Sequence, residues 1–155
     1  MNVPETIKKF LDHHKITYQY FEHEPTPTSE IAAKIRGVAL ETGAKAMIIR
    51  SEGKFFMLVL PAHKKIDFGK VKTMLNSKSV SFATAEEVQK VTQCIPGGVP
   101  PFGNLFGIPV YMDRELLENT VINFNAGLQT VSIEMKVQDW LKIVNPIKTT
   151  FTKEY

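Results

Sequence analysis

Residues 44–60 read Ala44-Lys45-Ala46-Met47-Ile48-Ile49-Arg50, then Ser51-Glu52-Gly53, then Lys54-Phe55-Phe56-Met57-Leu58-Val59-Leu60. Two apolar, β-prone runs joined by a short polar turn with a glycine make a hairpin pattern, and the runs are apolar enough to be the central pair of a sheet. Upstream, Ile7, Phe10 and Leu11 recur at helical spacing within residues 5–14, and residues 18–21 read as a short aromatic strand. The turn His23-Glu24-Pro25-Thr26-Pro27 continues neither. Thr28 can cap a helix that ends at Gly37, with Glu30 in its first turn and Ile31 and Ile35 on one face. Downstream, residues 67–75 read as a helix and 79–82 as a strand. Thr84 and Glu87 form a capping box for a helix through about Val91. Residues 109–112, 121–124 and 130–134 read as strands, and 137–143 as a closing helix carrying Trp140. Helices and strands mixed in this way predict an α+β domain with an antiparallel-rich sheet.

A chain of 155 residues, 43% hydrophobic and 23% charged, suits one domain around one core, so residues 1–155 are read as a unit. No stretch approaches the roughly 20 apolar residues of a membrane span, and the N-terminus lacks a signal-peptide pattern. The single cysteine, Cys94, forms no internal disulfide and fits a reducing compartment. A cytoplasmic protein without a membrane partner is expected. A net charge of +3 excludes a polybasic nucleic-acid binder of the histone kind. Two lysine- and arginine-rich stretches, Lys64, Lys65, Lys70, Lys72 and Lys78 and then Lys34, Arg36, Lys45 and Arg50, fit either a modest basic face for a phosphate backbone or ordinary solvated surface.

The residues with chemical potential are few. Lys45 interrupts an apolar run and, by strand alternation, shares a face with Met47 and Ile49. It therefore lines a pocket, or snorkels to the rim, because a buried ammonium without a partner is costly. Residues 95–103, Ile95-Pro96-Gly97-Gly98-Val99-Pro100-Pro101-Phe102-Gly103, fit neither a helix nor a central strand. Glycines let backbone amides approach a ligand and prolines stiffen the path, so this loop suits an anion or a carbonyl oxygen; a tight connection between strands is the simpler reading. Asn123-Phe124-Asn125-Ala126-Gly127 is polar and small, as a strand terminus with a turn would also be. His23 is a candidate pocket residue because it precedes the proline-rich turn. The histidine spacing matches no metal motif, there is no Gly-x-Ser-x-Gly elbow, and Cys94 reads as a small core residue.

Taken in order, Thr28-Ser29-Glu30 through Gly37, Gly43-Ala44-Lys45-Ala46, Gly97 through Gly103, and Asn125-Ala126-Gly127 resemble the YbaK-type aminoacyl-tRNA deacylases, which are related to the editing insertion domain of bacterial prolyl-tRNA synthetases. The resemblance extends from about His23 to the last helix. It implies a mixed, largely antiparallel central sheet, partly barrel-like and flanked by helices, with no cofactor and no metal. It implies a trans-acting hydrolase of the ester on mischarged tRNA, tRNA(Pro) carrying Ala, Cys, Ser or Thr, with prolyl-tRNA synthetase as a candidate second partner. Lys45 matches the functional lysine of the family, and Gly97 and Pro101 match its Gly-x-x-x-Pro loop. Lys45, Gly97 and Gly98 are thus the candidate catalytic residues. His23, Val99, Pro100, Pro101, Asn125, Ala126 and Gly127 are the candidate substrate contacts.

The family hydrolyses with water aided by a hydroxyl of the terminal ribose, which would explain the absence of a recognisable nucleophile. Two departures bear on specificity. Val99-Pro100 stands where relatives acting on cysteinyl-tRNA often carry small polar or sulfur residues, and Leu128-Gln129 stands where many relatives place a basic residue. A non-catalytic tRNA- or synthetase-binding module, or a hydrolase of another small activated ester, are the alternatives.

Overall fold

A computed structural model describes residues 2–154. Helix α1 (Val3–His13) begins where the Asn2 side chain accepts the Glu5 N–H at 3.1 Å, with proline in the first turn where no helical hydrogen bond is lost. Strand β1 (Tyr18–Glu22) leads to the Pro25–Pro27 turn and to α2 (Ser29–Arg36), capped by Thr28 and ended by Gly37 at φ 69°. A 3-10 turn (Leu40–Thr42) then delivers the chain into β2 (Ala44–Ser51) and β3 (Lys54–Pro61), the hairpin expected from the sequence. Helix α3 (Phe68–Leu75), β4 (Ser81–Phe82) and α4 (Ala85–Thr92) follow, and both hydrogen bonds of the Thr84–Glu87 capping box are present. The Gly/Pro loop leads through a second 3-10 turn to β5 (Val110–Asp113) and a third at Arg114–Glu118. Strands β6 (Val121–Asn125) and β7 (Val131–Lys136), helix α5 (Val137–Val144) and strand β8 (Ile147–Thr149) complete the described chain.

The strands form two sheets, β4-β2-β3-β5-β8 and β1-β7-β6. Pairing is antiparallel except at β3–β5 and β5–β8, so the sheet is mixed and largely antiparallel, as expected. A parallel bridge between Gly43 and Asn123 links the two sheets at the start of β2.

Strand alternation sends Ala44, Ala46 and Ile48 into the main core with Ile122, Phe124 and Trp140, and Ile49 into a second cluster with Leu58, Leu60, Val71 and Phe151. The C-terminal segment is fastened by Asp113, whose buried carboxylate accepts the Phe151 and Thr152 N–H groups at 2.9 and 3.0 Å. Cys94 is buried, in line with its reading as a core residue.

Helix α2 packs through Ala32, which is buried and lines the cleft described below, while Ile31 is 42% exposed. Two of the lysines of residues 64–78 are engaged with acidic or carbonyl partners. Lys64 pairs with Glu115, and Lys70 bonds the Thr152 carbonyl and pairs with Glu154. Among the described residues, no helix is long and apolar enough to cross a membrane.

Candidate active site

A cleft of about 360 Å³ opens where the turn before α2, the start of β2 and the Gly/Pro loop meet. Thr26, Thr28, Ser29, Ala32 and Arg36 line one side, Lys45 and Met47 come from β2, and Ala62 follows the end of β3; Gly97, Val99 and Asn125 complete it. Lys45 thus faces the cleft and does not snorkel away from it. Desolvation pulls its pKa below the ordinary lysine value, the Lys65 charge adds to that, and Glu30 partly opposes it. Among the described residues, no carboxylate lies within ion-pair distance of Lys45.

The loop is held by its carbonyls. Asn125 Nδ2 donates to Gly97 O at 2.7 Å, the Gly98 N–H donates to Ile95 O at 3.0 Å, and the Gly127 N–H donates to Gly98 O at 2.8 Å. The Gly98 amide is therefore engaged inside the loop. In a trans peptide the N–H points opposite the carbonyl, so fixing Gly98 O on Gly127 leaves the Val99 N–H on the other edge. Among the described residues, neither the Val99 nor the Gly97 N–H meets a protein acceptor, and both residues line the cleft.

Beyond Val99 the loop turns into the core. Phe102 is fully buried, edge-on to Phe124 at 5.5 Å, and Trp140 Nε1 donates to Pro101 O at 2.9 Å. Pro100 and Pro101 are buried on this side and do not line the cleft, and Ala126 and Gly127 lie behind the loop as its support. Gly97 sits at φ 88°, where an L side chain is strained by about 1–3 kcal/mol. Its added Cβ would meet only the far end of the long Gln129 side chain, at 2.9 Å. Gly97→Ala is expected to stay folded but to lose about tenfold or more in turnover by tilting the adjoining amides; thermal unfolding and single-turnover rates measure the two effects separately.

A polar network backs the cleft. Arg36 Nε donates to Ser132 Oγ at 2.8 Å and Arg36 Nη2 to Asn125 Oδ1 at 3.0 Å. Thr26 Oγ1 donates at 3.2 Å to Asn125 Oδ1 and is equally close to Gln129 O. His23 lies behind this network and does not line the cleft: Nδ1 donates to Glu24 O and Nε2 meets Ser132 Oγ, both at 2.6 Å. Burial lowers the Arg36 pKa to about 10, which leaves it charged at neutral pH.

Residues 23–143 match the aminoacyl-tRNA editing domain model, a span that contains the whole cleft. The chain belongs to the aminoacyl-tRNA editing domain family. Over 141 residues this editing domain is 29% identical to the multifunctional Ser/Thr-tRNA deacylase ProXp-y of Escherichia coli (strain K12), covering 88% of this chain and 84% of that protein. It is 26% identical over 157 residues to the prolyl-tRNA editing protein ProX of Acetoanaerobium sticklandii, covering 97% and 96% respectively. The fold matches that of the hypothetical protein APE2540 with a TM-score of 0.87 at 22% identity, over 95% of this chain and 99% of that one.

Sequence reasoning did not assign Thr26, Arg36, Met47, Ala62 or Ser132 to the site of this editing domain. Met47 was legible in principle, being two residues from Lys45 on one strand face. Arg36 gave no such signal: a basic residue in the last turn of a helix reads as a partner for the helix dipole.

Proposed function

We propose that this protein is a trans-acting deacylase that hydrolyses the ester between a wrong amino acid and tRNA, acting in the cytoplasm on tRNA(Pro) carrying Ala, Cys, Ser or Thr. The observation that carries this reading is the convergence, in one small cleft, of a lysine that forms no ion pair among the described residues and a loop whose Gly97 and Val99 amides meet no protein acceptor there. Water attacks the ester carbonyl, the acyl carbon–ribose oxygen bond breaks, and the ribose oxygen leaves with a proton from the water. Negative charge on the carbonyl oxygen in the tetrahedral intermediate calls for fixed donors, and the Val99 N–H with that of Gly97 can meet it. Lys45 holds the terminal phosphate or the substrate ester.

Among the described residues, no hydroxyl of the cleft is hydrogen-bonded to a general base: Ser29 Oγ donates to Ala62 O at 2.6 Å, Thr26 Oγ1 points at Asn125 and Gln129 O, and Thr28 Oγ1 accepts the Ile31 N–H. This favours attack by water over a covalent intermediate. Ala32, Ala44, Ala46, Ala62 and Val99 give the cleft small apolar walls, in keeping with a small amino-acid side chain. The names of ProXp-y and ProX, a Ser/Thr-tRNA deacylase and a prolyl-tRNA editing protein, support the same substrate class.

The test is release of amino acid from tRNA(Pro) charged with Ala, Cys, Ser, Thr or Pro. Lysine-dependent release of one or more non-cognate residues, falling steeply with added salt, is expected because a phosphate backbone is engaged. A rate indifferent to salt, or release of small esters without tRNA, would favour a small-ester hydrolase; tight tRNA binding without release would favour a binding module.

A further inference from the structure

Arg36 is a half-buried cation that has, among the described residues, neither a carboxylate partner nor a part in the chemistry above. Its hydrogen bonds run through Asn125 to the loop. Arginine cannot accept and a carbonyl cannot donate, so the amide of Asn125 has one possible orientation: Oδ1 toward Arg36 Nη2 at 3.0 Å, Nδ2 toward Gly97 O at 2.7 Å. The group so held is the peptide between Gly97 and Gly98, the one peptide of the loop flanked by glycine on both sides. Glycine opposes rotation of its neighbouring peptides least, and Gly97 already sits at positive φ. Rotation of that peptide would swing the Gly97 carbonyl and turn the amides on either side. Ser132 Oγ, 2.8 Å from Arg36 Nε, fixes the guanidinium plane from behind, and the wall of the cleft is thereby set.

We propose that Arg36 is a positioning residue that, through Asn125, locks the Gly97–Gly98 peptide and so sets the aim of the cleft's free amides. Its kinetic consequence rests on the deacylase reading; its structural consequence does not. Amide hydrogen exchange and deacylation kinetics together test it, on wild type, Arg36→Gln, Arg36→Lys, Asn125→Ala, the Arg36→Gln/Asn125→Ala double variant and an exposed control, Arg50→Gln.

Exchange at the Gly98 amide, bonded to Ile95 O, is expected to accelerate about tenfold or more in Arg36→Gln and in Asn125→Ala, and not in Arg50→Gln. In turnover, Arg36→Gln is expected to lower kcat by about 10- to 100-fold, the scale of a misplaced catalytic group, with KM changed less than about twofold. The double variant should be no worse than the more damaged single variant, because both cut one chain of contacts. Arg36→Lys should recover only part of the loss, since an ammonium cannot hold both acceptors in the plane of the fork.

A rise in KM at unchanged kcat would make Arg36 a direct anion contact and overturn the proposal. So would losses that multiply in the double variant, or full activity in Arg36→Lys. If Arg36→Gln does not fold, Asn125→Ala alone decides: unchanged Gly98 exchange there refutes the link. If the wild type releases no amino acid from any charged tRNA, the functional reading fails while the exchange arm still judges the geometry.

Discussion

Lys45→Ala is expected to lower kcat/KM for deacylation by about 10² to 10³, the scale seen when one preorganised electrostatic contact is removed from a hydrolase. Stability should change by no more than about 1 kcal/mol, because the lysine is half-exposed, makes no ion pair among the described residues, and leaves the hairpin register to its apolar neighbours. Thermal unfolding beside single-turnover deacylation separates the two quantities. Near-normal turnover by a folded variant would remove Lys45 from the mechanism.

The lowered Lys45 pKa adds a pH signature. The folded state binds this proton more weakly than the unfolded chain, so at neutral pH the charge works against folding. As pH rises from the folded toward the unfolded pKa, the unfolded state holds more protons and stability increases. That rise should be absent from Lys45→Ala. Activity should move the other way, with turnover falling at a pH below the ordinary lysine value once spontaneous ester hydrolysis is subtracted.

Gly127→Ala is expected to destabilise the protein by about 3 kcal/mol, from φ strain and overpacking together. Gly127 sits at φ 105°, and an added Cβ would lie 2.8 Å from Val3 Cγ1, 2.9 Å from Val3 Cβ and 3.0 Å from Pro4 Cδ. No flexible side-chain end is among these atoms, so the start of α1 must move. For a domain of this size that corresponds to a drop in Tm of roughly 6–12 °C. Adding Val3→Ala should recover part of the steric cost and none of the strain. Activity should fall too, because the Gly127 N–H holds Gly98 O at 2.8 Å. An unchanged Tm would show that the N-terminal helix is not packed on this turn.

Much of the architecture was legible because its causes are local. The Ser51–Gly53 turn joins two β-prone runs, the Thr84–Glu87 pair caps a helix, and Gly37 ends another. Strand β8 escaped notice because its three residues carry no alternation long enough to read, and it is a strand only by lying beside β5. Lys45 stood out as a charge in an apolar strand. His23, Pro100, Pro101, Ala126 and Gly127 were marked by composition and motif, yet the fold places them behind the cleft, since glycine and proline suit a loop's anchors as well as its exposed face.

The sequence by itself determined the hairpin, most helix boundaries, Lys45 as a charge interrupting an apolar strand, and Gly97 through Gly103 as a rigid loop. These follow from side-chain periodicity and from the backbone limits of glycine and proline, which act within a few residues. Only the tertiary structure decided which loop amides remain without protein acceptors, and that Arg36, Asn125 and Ser132 meet. Those facts depend on hydrogen bonds between groups up to 96 positions apart, whose partners become fixed only when the two sheets close on one another.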